Sequence, residues 1–554
     1  MNFSIYSPPR PSAFSRTVIL DAVVFIALCL GCAGPVHANV YPTNVRVNDG
    51  AANVIASIGT PVTISYLLNE PASAGVVVTI KSNTTTLRTF SLVGGGAGTA
   101  RGTNAVVWNG QDDGSNNVAP GFYSIQVTAS ATGHGGWQQI SNDGDEANYA
   151  FAPTSIAVNR NPNSPYYGRV FVANAIESFN GIFSPGDNVG LLKANADGSA
   201  PLDGIYSSGD WPWAGDGYSP WKLEVSADDF TYVNDRTSQG LLLRFDQTLS
   251  PTSRTLVLRD DNSPDGGQAI LSGPAIVGTG TNTQIWMADV RTNGVGLRRY
   301  QVTANGTIAT NDLGLTIVPT GGDSQLTDAP YDVALDRSNR IYTIHYATDS
   351  GDPSYRVFRF PAYDESGFPV TNADWRIGSG DDDLRGASGI SVDPSGTNVA
   401  VAFRGVVSGP FGADGGVRVF SAEDGSGAWV IPPAPSNDFT DVAWDNVGNL
   451  YVCDNWNSVW RAYSPPGTNQ ATTLAPTVQL VIPSTLPTLS APRYAAGQFR
   501  FTLNGQPNAT YIIQSSTNLQ SWTPVVTNTS AAASRSIILA APNARSFYRA
   551  QVSQ

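Results

Sequence analysis

The residues with the clearest potential for chemistry recur at one position of an internal repeat. A strand-like segment occurs six times between residues 146 and 467, and the residue just past it is polar in five of the six copies. In chain order these residues are Asn174, Asp235, Asp289, His345, Phe403 and Asp454. Carboxylate and amide oxygens suit a hard cation such as Ca²⁺, and paired carboxylates can act as general acid and base. Asp and Asn in loops also accept hydrogen bonds from backbone amides, which is a purely structural role.

These alternatives lead to different expectations. If this face is a binding surface, a ligand contacts Asn174, Asp235, Asp289, His345 and Asp454, and the three aspartates hold calcium. If it is an active site, the acid or base of a hydrolase or lyase is Asp235, Asp289, His345 or Asp454.

An aromatic loop provides a second candidate. Residues 208–221 are rich in Gly and Pro and contain Trp211, Trp213 and Trp221 beside Asp216. Gly and Pro argue against a strand here. Rings on such a loop suit the apolar faces of a sugar, and adjacent carboxylates suit its hydroxyls. The alternative is a hydrophobic plug that seals the centre of the fold.

Few other catalytic arrangements are compatible with the sequence. Without the predicted leader described below, only His134 and His345 remain, which excludes a three-histidine metal site and leaves little for a Ser-His-Asp triad. No Gly-x-Ser-x-Gly elbow or phosphate-binding loop occurs. Cys453 lies in a predicted strand and is best interpreted as a buried, inert thiol.

The repeats determine where the candidate residues lie. Their second strands are spaced 51 to 61 residues apart, and a third strand follows each one, often ending in a basic and then an aromatic residue, as at Arg244 and Phe245. In an antiparallel unit, the loop after the second strand and the loop into the first strand emerge on the same face. Six four-stranded units predict a six-bladed β-propeller over residues 146–467, with an acidic and locally aromatic face.

One copy carries a family resemblance. The segment Asp441-Val442-Ala443-Trp444-Asp445-Asn446-Val447-Gly448-Asn449-Leu450-Tyr451-Val452 resembles NHL-type repeats and the wider six-bladed family that includes gluconolactonase-like enzymes. In those enzymes an acidic residue and a Pro-Asn-Gly segment at strand starts hold the metal. The corresponding segments here are Pro153-Thr154-Ser155, Pro220-Trp221-Lys222 and Pro330-Tyr331-Asp332. This departure argues against lactonase activity.

Two smaller β-modules flank the repeats. In residues 39–135, alternating apolar and polar positions predict a half-buried antiparallel sheet, and the segment Trp108-Asn109-Gly110-Gln111-Asp112-Asp113-Gly114 resembles the Ig-like domain of flagellar hook-capping proteins. A Thr/Pro-rich linker is predicted at 468–492. Residues 493–554 alternate again and resemble the fibronectin-III-like modules of secreted bacterial proteins. The predicted fold is therefore all-β, with a propeller between two small β-sandwiches.

The first 38 residues have the features of a secretory signal peptide. Arg10 and Arg16 precede an apolar run from Ala22 to Ala33, and Val36-His37-Ala38 offers a cleavage site. The run is too short to span a membrane, so we expect an extracellular, periplasmic or cell-surface protein without a transmembrane span. The net charge of −13 argues against nucleic acid and anionic membranes as partners.

Together these features favour a secreted binding protein over an enzyme. Its propeller face would recognise an extracellular carbohydrate or another protein, with calcium as the one cofactor suggested. The alternative is a calcium-dependent hydrolase or lyase, either lactonase-like or polysaccharide-degrading. An enzyme would bring two carboxylates within about 4–6 Å in a cleft, with perturbed pKa values. Carboxylates spread around a rim favour binding.

Overall fold

The described part of the chain is built from strands. The computed structural model describes residues 39–57, 60–178, 185–236, 240–262, 271–290, 296–346, 354–378, 384–405, 414–481, 487–507, 509–529, 532–540 and 546–552. The predicted signal peptide at 1–38 lies outside the described residues. In these ranges the chain forms 39 strands and five short 3₁₀ helices, at Glu146–Asn148, Pro185–Asp187, Pro251–Ser253, Asp260–Asn262 and Gly280–Asn282. The predicted all-β class is confirmed.

The first module consists of two sheets that share one core. Its first seven strands are β1 (Pro42–Val47), β2 (Val54–Ser57), β3 (Val62–Leu68), β4 (Gly75–Ser82), β5 (Thr85–Leu92), β6 (Gly102–Trp108) and β7 (Gly121–His134). One sheet has the order β1-β3-β6, and the other contains β2, β4, β5 and β7. Alternation along the strands places Trp108, Ile64 and Ile125 in the shared core.

Six four-stranded antiparallel sheets follow, between residues 138 and 464 of the described chain. Their strands are β8 (Gln138–Gln139), β9 (Pro153–Val158), β10 (Val170–Asn174), β11 (Gly190–Ala194), β12 (Tyr206–Ser207), β13 (Leu223–Val225), β14 (Thr231–Asp235), β15 (Leu241–Phe245), β16 (Thr255–Leu258), β17 (Leu271–Val277), β18 (Gln284–Asp289), β19 (Leu297–Gln301), β20 (Leu315–Val318), β21 (Pro330–Leu335), β22 (Ile341–His345), β23 (Val357–Phe360), β24 (Trp375–Ile377), β25 (Ala387–Val392), β26 (Asn398–Phe403), β27 (Gly416–Ser421), β28 (Gly427–Ile431), β29 (Phe439–Trp444), β30 (Leu450–Asp454) and β31 (Val459–Ser464). Five sheets are consecutive, β9–β12, β13–β16, β17–β20, β21–β24 and β25–β28, and the sixth joins β29, β30 and β31 to β8.

The six sheets contact one another in a closed circuit, which we call the ring. The first strand of each sheet, which we call its inner strand, lies against the inner strand of the next sheet, and β29 lies against β9. The sixth sheet is completed by β8, in which Gln139 pairs with Tyr463. The ring therefore begins upstream of the boundary expected at residue 146, because its last sheet takes its outer strand from the start of the region.

The segment predicted to be a linker, residues 468–492, contains strands. β32 (Gly467–Leu474) pairs with β7, and β33 (Val478–Val481) lies between β2 and β7. Val478 and Leu480 belong to the core of the first module. The strands β2 and β7 would otherwise present unpaired backbone groups, which a returning segment with alternating apolar residues satisfies.

The last module contains two three-stranded sheets. Its strands are β34 (Thr488–Ala495), β35 (Gln498–Asn504), β36 (Thr510–Ser516), β37 (Thr523–Thr529), β38 (Ser534–Ala540) and β39 (Phe547–Val552). A small core contains Phe501, Tyr511 and Ile513. Among the described residues of the whole chain, no helix is long and apolar enough to cross a membrane.

The position of β33 leads to a stability prediction. Leu480→Ala removes a side chain that is 2% exposed, and loss of a buried leucine costs about 2–5 kcal/mol of unfolding free energy. We expect faster hydrogen exchange in β2 and β7, measured by mass spectrometry on the full chain. Leu474→Ala on β32 is the control, because that side chain is 56% exposed. Unchanged exchange in L480A would contradict the pairing.

Candidate functional site

The predicted polar residues end the second strands of the ring sheets, and two of them have clear structural roles. The side chain of Asn174 accepts a hydrogen bond from the N–H of Ala152 (2.7 Å) and donates to carbonyls of the loop after its own strand. Asp454 accepts from the N–H of Asp438 (3.2 Å) and from Nη1 of Arg461 (2.7 Å). Both side chains are buried and join the loop that enters a sheet to its second strand.

The other predicted residues do not form a shared site. His345 Nδ1 lies 3.2 Å from the carbonyl oxygen of Ala329, and Asp235 accepts a hydrogen bond from Trp211 (2.8 Å). Asp289 is fully buried. The described ranges contain no group of three or more His, Cys, Asp or Glu side chains that could hold a metal ion. Asp235, Asp289 and Asp454 are thus not brought together, and calcium binding at any one of them stays a prediction.

The aromatic loop divides into two parts. Trp211 and Trp213 are half-buried, lie edge to face at 6.3 Å, and pack against the core around β13. The indole N–H of Trp213 donates to the Ser208 carbonyl (2.8 Å). A sugar-binding loop would expose these two rings. They are more buried than that interpretation expects, because the loop packs against the sheet. Trp221, in contrast, reaches the centre of the ring.

A pocket of 370 Å³ opens at that centre. Its floor is formed by Thr154, Trp221, Tyr331 and Thr440, which lie in the inner strands or directly before them. Its wall is formed by loop residues: Ala152, Ile176, Asp216, Gly217, Tyr218, Arg236, Tyr346, Arg404 and Asn455. The loops that follow second strands and those that enter inner strands therefore meet on one face, as the antiparallel repeat requires.

Part of the pocket wall is formed by residues that directly follow the predicted positions in the sequence. Four wall residues come directly after a predicted position: Arg236, Tyr346, Arg404 and Asn455. Side chains alternate in direction along a strand. In these four sheets the residue after the second strand therefore lines the pocket, whereas the last residue of the strand does not. The described lining thus carries two arginines and four aromatic side chains beside one carboxylate, that of Asp216.

Arg236 is held by aromatic rings. Its guanidinium carbon lies 4.8 Å from the ring centre of Tyr218, 4.9 Å from that of Trp221 and 5.6 Å from that of Tyr331. Its Nη1 atom is buried and has no hydrogen-bond partner among the described residues. Cation–π contacts stabilise the guanidinium by about 0.5–2 kcal/mol, whereas an unsatisfied N–H is unfavourable. The group is positioned for an acceptor that enters the pocket.

The opposite wall is held differently. Arg404 makes two parallel contacts of 2.5 Å with the carboxylate of Asp438. Burial opposes the charge of Arg404, but this carboxylate raises its pKa above the ordinary range. Tyr331 stacks on Tyr346 with ring centres 4.9 Å apart, and burial raises the pKa of Tyr331 to about 12. Its hydroxyl therefore stays protonated near neutral pH and can donate a hydrogen bond.

Directly below the floor, an ionic cluster closes the axis of the ring. One residue after the four floor positions come Ser155, Lys222, Asp332 and Asp441, and the other two sheets carry Gly273 and Gly389 at the equivalent position. Lys222 directly precedes β13, and the other five residues lie in inner strands. Nζ of Lys222 lies 3.4 Å from Asp332 and 3.1 Å from Asp441, and donates to two backbone carbonyls. All three charged side chains are buried.

The small residues make room for the cluster. A Cβ atom on Gly273 would lie 2.2 Å from an oxygen of Asp332, and one on Gly389 would lie 2.1 Å from an oxygen of Asp441. Ser155 donates to Asp441 (2.5 Å) and accepts from the N–H of Leu223 (3.0 Å). Large and small side chains thus alternate around the axis, which fills a narrow closed sheet.

The charges in the cluster influence one another. Burial raises the pKa of Asp332 to about 7, with Lys222 acting to lower it and Asp441 to raise it. Burial would lower the pKa of Lys222, but Asp441 and Asp332 raise it above its ordinary value. The sequence analysis assigned none of these residues a role. Five of the six residues are the third residue of their inner strand, and Lys222 directly precedes β13, but their residue types differ from sheet to sheet.

Comparisons with known proteins assign a family to the first module alone. The FlgD Ig-like domain matches residues 50–133, which confirms the Ig-like prediction there. No curated protein matches the chain. Similar solved structures include the periplasmic gluconolactonase PpgL of Pseudomonas aeruginosa, with 13% identity over 53% of this chain and 80% of that chain and a TM-score of 0.29. A glycoside hydrolase shares 9% identity over 59% and 92% of the two chains, with a TM-score of 0.25. Sqt1 of Saccharomyces cerevisiae shares 9% over 67% and 96%, with a TM-score of 0.28. This similarity is weak and indicates no activity.

Removal of the central ammonium should destabilise the ring. Lys222→Met leaves two buried carboxylates without their cation, and loss of one partner from a buried ion pair costs about 3–5 kcal/mol. Urea unfolding of the full chain measures the loss, with Lys81→Met, a half-buried lysine of β4, as the control. Adding D332N and D441N to K222M should recover part of the stability. A K222M protein as stable as the unaltered one would contradict the assignment.

Asp332 also predicts a pH dependence. Its pKa of about 7 in the folded protein exceeds the ordinary 3.8, so folding favours the protonated form. The associated stability is complete below pH 3.8 and is lost as the pH rises through 7, by at most about 1.4 kcal/mol per pH unit. Asp332→Asn should remove this decline from unfolding free energies measured between pH 4 and 7. The exposed Asp323→Asn should keep it. Parallel curves for D332N and the unaltered protein would refute the prediction.

Proposed function

We propose that the protein is an exported binding protein, that its ring is a six-bladed β-propeller, and that the pocket at the centre of the ring takes a carbohydrate. The observation that supports this proposal is the convergence of Tyr218, Trp221 and Tyr331 with hydrogen-bonding groups in one concave space of 370 Å³. Such a combination of rings and a few placed polar groups is typical of small-ligand sites.

Carbohydrate is the ligand class that uses both kinds of surface. Sugar rings present apolar C–H faces that stack on aromatic side chains, and their hydroxyls need donors and acceptors around the rim. The lining provides Thr154, Thr440, Asn455 and the Tyr331 hydroxyl. Thr440 donates its hydroxyl proton to the Pro153 carbonyl (2.7 Å), so its oxygen can still accept from a ligand.

The distribution of carboxylates favours binding over hydrolysis or elimination. Among the described lining residues, only Asp216 carries a carboxylate. Asp332 and Asp441 do converge, but they lie below the floor and their charges are held by Lys222. Among the described residues, a ligand in the pocket would therefore meet no pair of carboxylates able to act as acid and base. A lactonase-like or polysaccharide-degrading activity is the weaker alternative.

The leader and the flanking modules support a role outside the cytoplasm. Residues 1–38 carry the signal-peptide pattern. The Ig-like module and the last module, which we propose to be fibronectin-III-like, would present the ring or attach it to a surface.

Binding can be tested with a glycan array probed with the full chain. We expect a saccharide ligand, and Tyr218→Ala should weaken its binding about tenfold, ~1.4 kcal/mol, because this ring is 48% exposed and forms part of the wall. Tyr494→Ala in the last module is the matched control, since that ring is 64% exposed and lies outside the pocket. Absence of any saccharide signal, or equal losses in both variants, would overturn the proposed site.

A further inference from the structure

Resting on the proposed function, we infer that the saccharide carries a carboxylate and that Arg236 binds it. The expected ligand class is an acidic saccharide of the uronate type, with its ring between the aromatic walls and its carboxylate at the guanidinium.

The two arginines of the pocket are in different states. Both carboxylate oxygens of Asp438 engage Arg404, along the Nε–Nη2 edge of its guanidinium. Within the described residues, Arg236 has no ion pair, and its buried Nη1 lacks a hydrogen-bond partner. Three aromatic rings hold its plane in position. The protein thus fixes the orientation of this cation and leaves its hydrogen-bonding capacity available to a ligand.

The charges around the pocket leave Arg236 as the arginine without a paired carboxylate among the described residues. The described lining carries two arginines against the carboxylate of Asp216, and one arginine is already neutralised by Asp438. Below the floor, Lys222 faces two carboxylates, so the cluster adds no positive charge. Exposed charges farther away than the screening length of about 8 Å act only weakly at the pocket. At contact distance, the free guanidinium therefore determines which ligand charge is favoured.

A carboxylate suits this guanidinium better than a hydroxyl does. The planar N–H groups of arginine match the two oxygens of a carboxylate, and charge-assisted hydrogen bonds are about twice as strong as neutral ones. A neutral sugar would bury the cation without a counter-charge, which is unfavourable. The ring of Tyr331, with its centre 5.6 Å from the guanidinium carbon, belongs to the same pocket lining.

The decisive experiment compares acids with their own methyl esters. Calorimetric titration of the full chain would use oligomers of galacturonate, glucuronate, mannuronate and guluronate, each beside its methyl ester. The ester keeps the rings and linkages and removes the charge. We expect at least one acid to bind, and its ester to bind at least tenfold more weakly. Equal affinities, or binding of neutral sugars alone, would overturn this inference and leave the proposed function standing. Absence of binding to any saccharide would overturn both.

Variants identify the residue responsible. Arg236→Gln should lower the affinity for the acid at least tenfold and abolish the preference over the ester. Arg254→Gln is the matched control, because Arg254 also stacks on a tryptophan, Trp211 at 5.7 Å, outside the pocket lining. If R236Q fails to fold, Arg236→Lys keeps the charge and should retain the acid preference at reduced affinity. A folded R236Q that still prefers the acid would overturn the role of Arg236.

Discussion

The salt bridges of Lys222 with Asp332 and Asp441 are the interaction on which the ring depends. Lys222 belongs to the second sheet, and its partners belong to the fourth and sixth, so one ammonium connects every other sheet across the axis. The intervening sheets contribute Ser155, Gly273 and Gly389, whose small size admits the charged side chains. A buried charge needs such complete pairing to be tolerated. The cluster therefore both requires and enforces one arrangement of the six inner strands.

The central pocket lies next to this cluster, because the floor residues Thr154, Tyr331 and Thr440 directly precede Ser155, Asp332 and Asp441 in the inner strands. The other end of the axis is closed as well. Arg160 pairs with Glu224 there, and the remaining space is only 60 Å³. The pocket is thus walled by loops, while the inner strands beneath it are held together by the ion pairs of Lys222.

The sequence predicted the repeats, the all-β class and the Ig-like module, because periodicity and turn residues are local signals. It placed the polar residues one position away from the pocket wall, since a repeat locates the end of a strand and not the direction of the side chain there. The ionic cluster was missed because its six positions hold four residue types, so aligned copies look unrelated at that point. The pairing of β33 with β2 was missed because its partner strand lies far away in the chain.

The return of β32 and β33 to the first module makes the ring an insertion within that module. The chain leaves through β7 and comes back beside it, where Gly467 pairs with His134. Tension applied between the first and last modules would pass from β33 directly into β2 and β7 and would bypass the ring. The backbone hydrogen bonds of these strands would carry the force, while the six sheets and the pocket kept their shape. Tension between the two ends of the chain would in this way leave the geometry of the pocket unchanged.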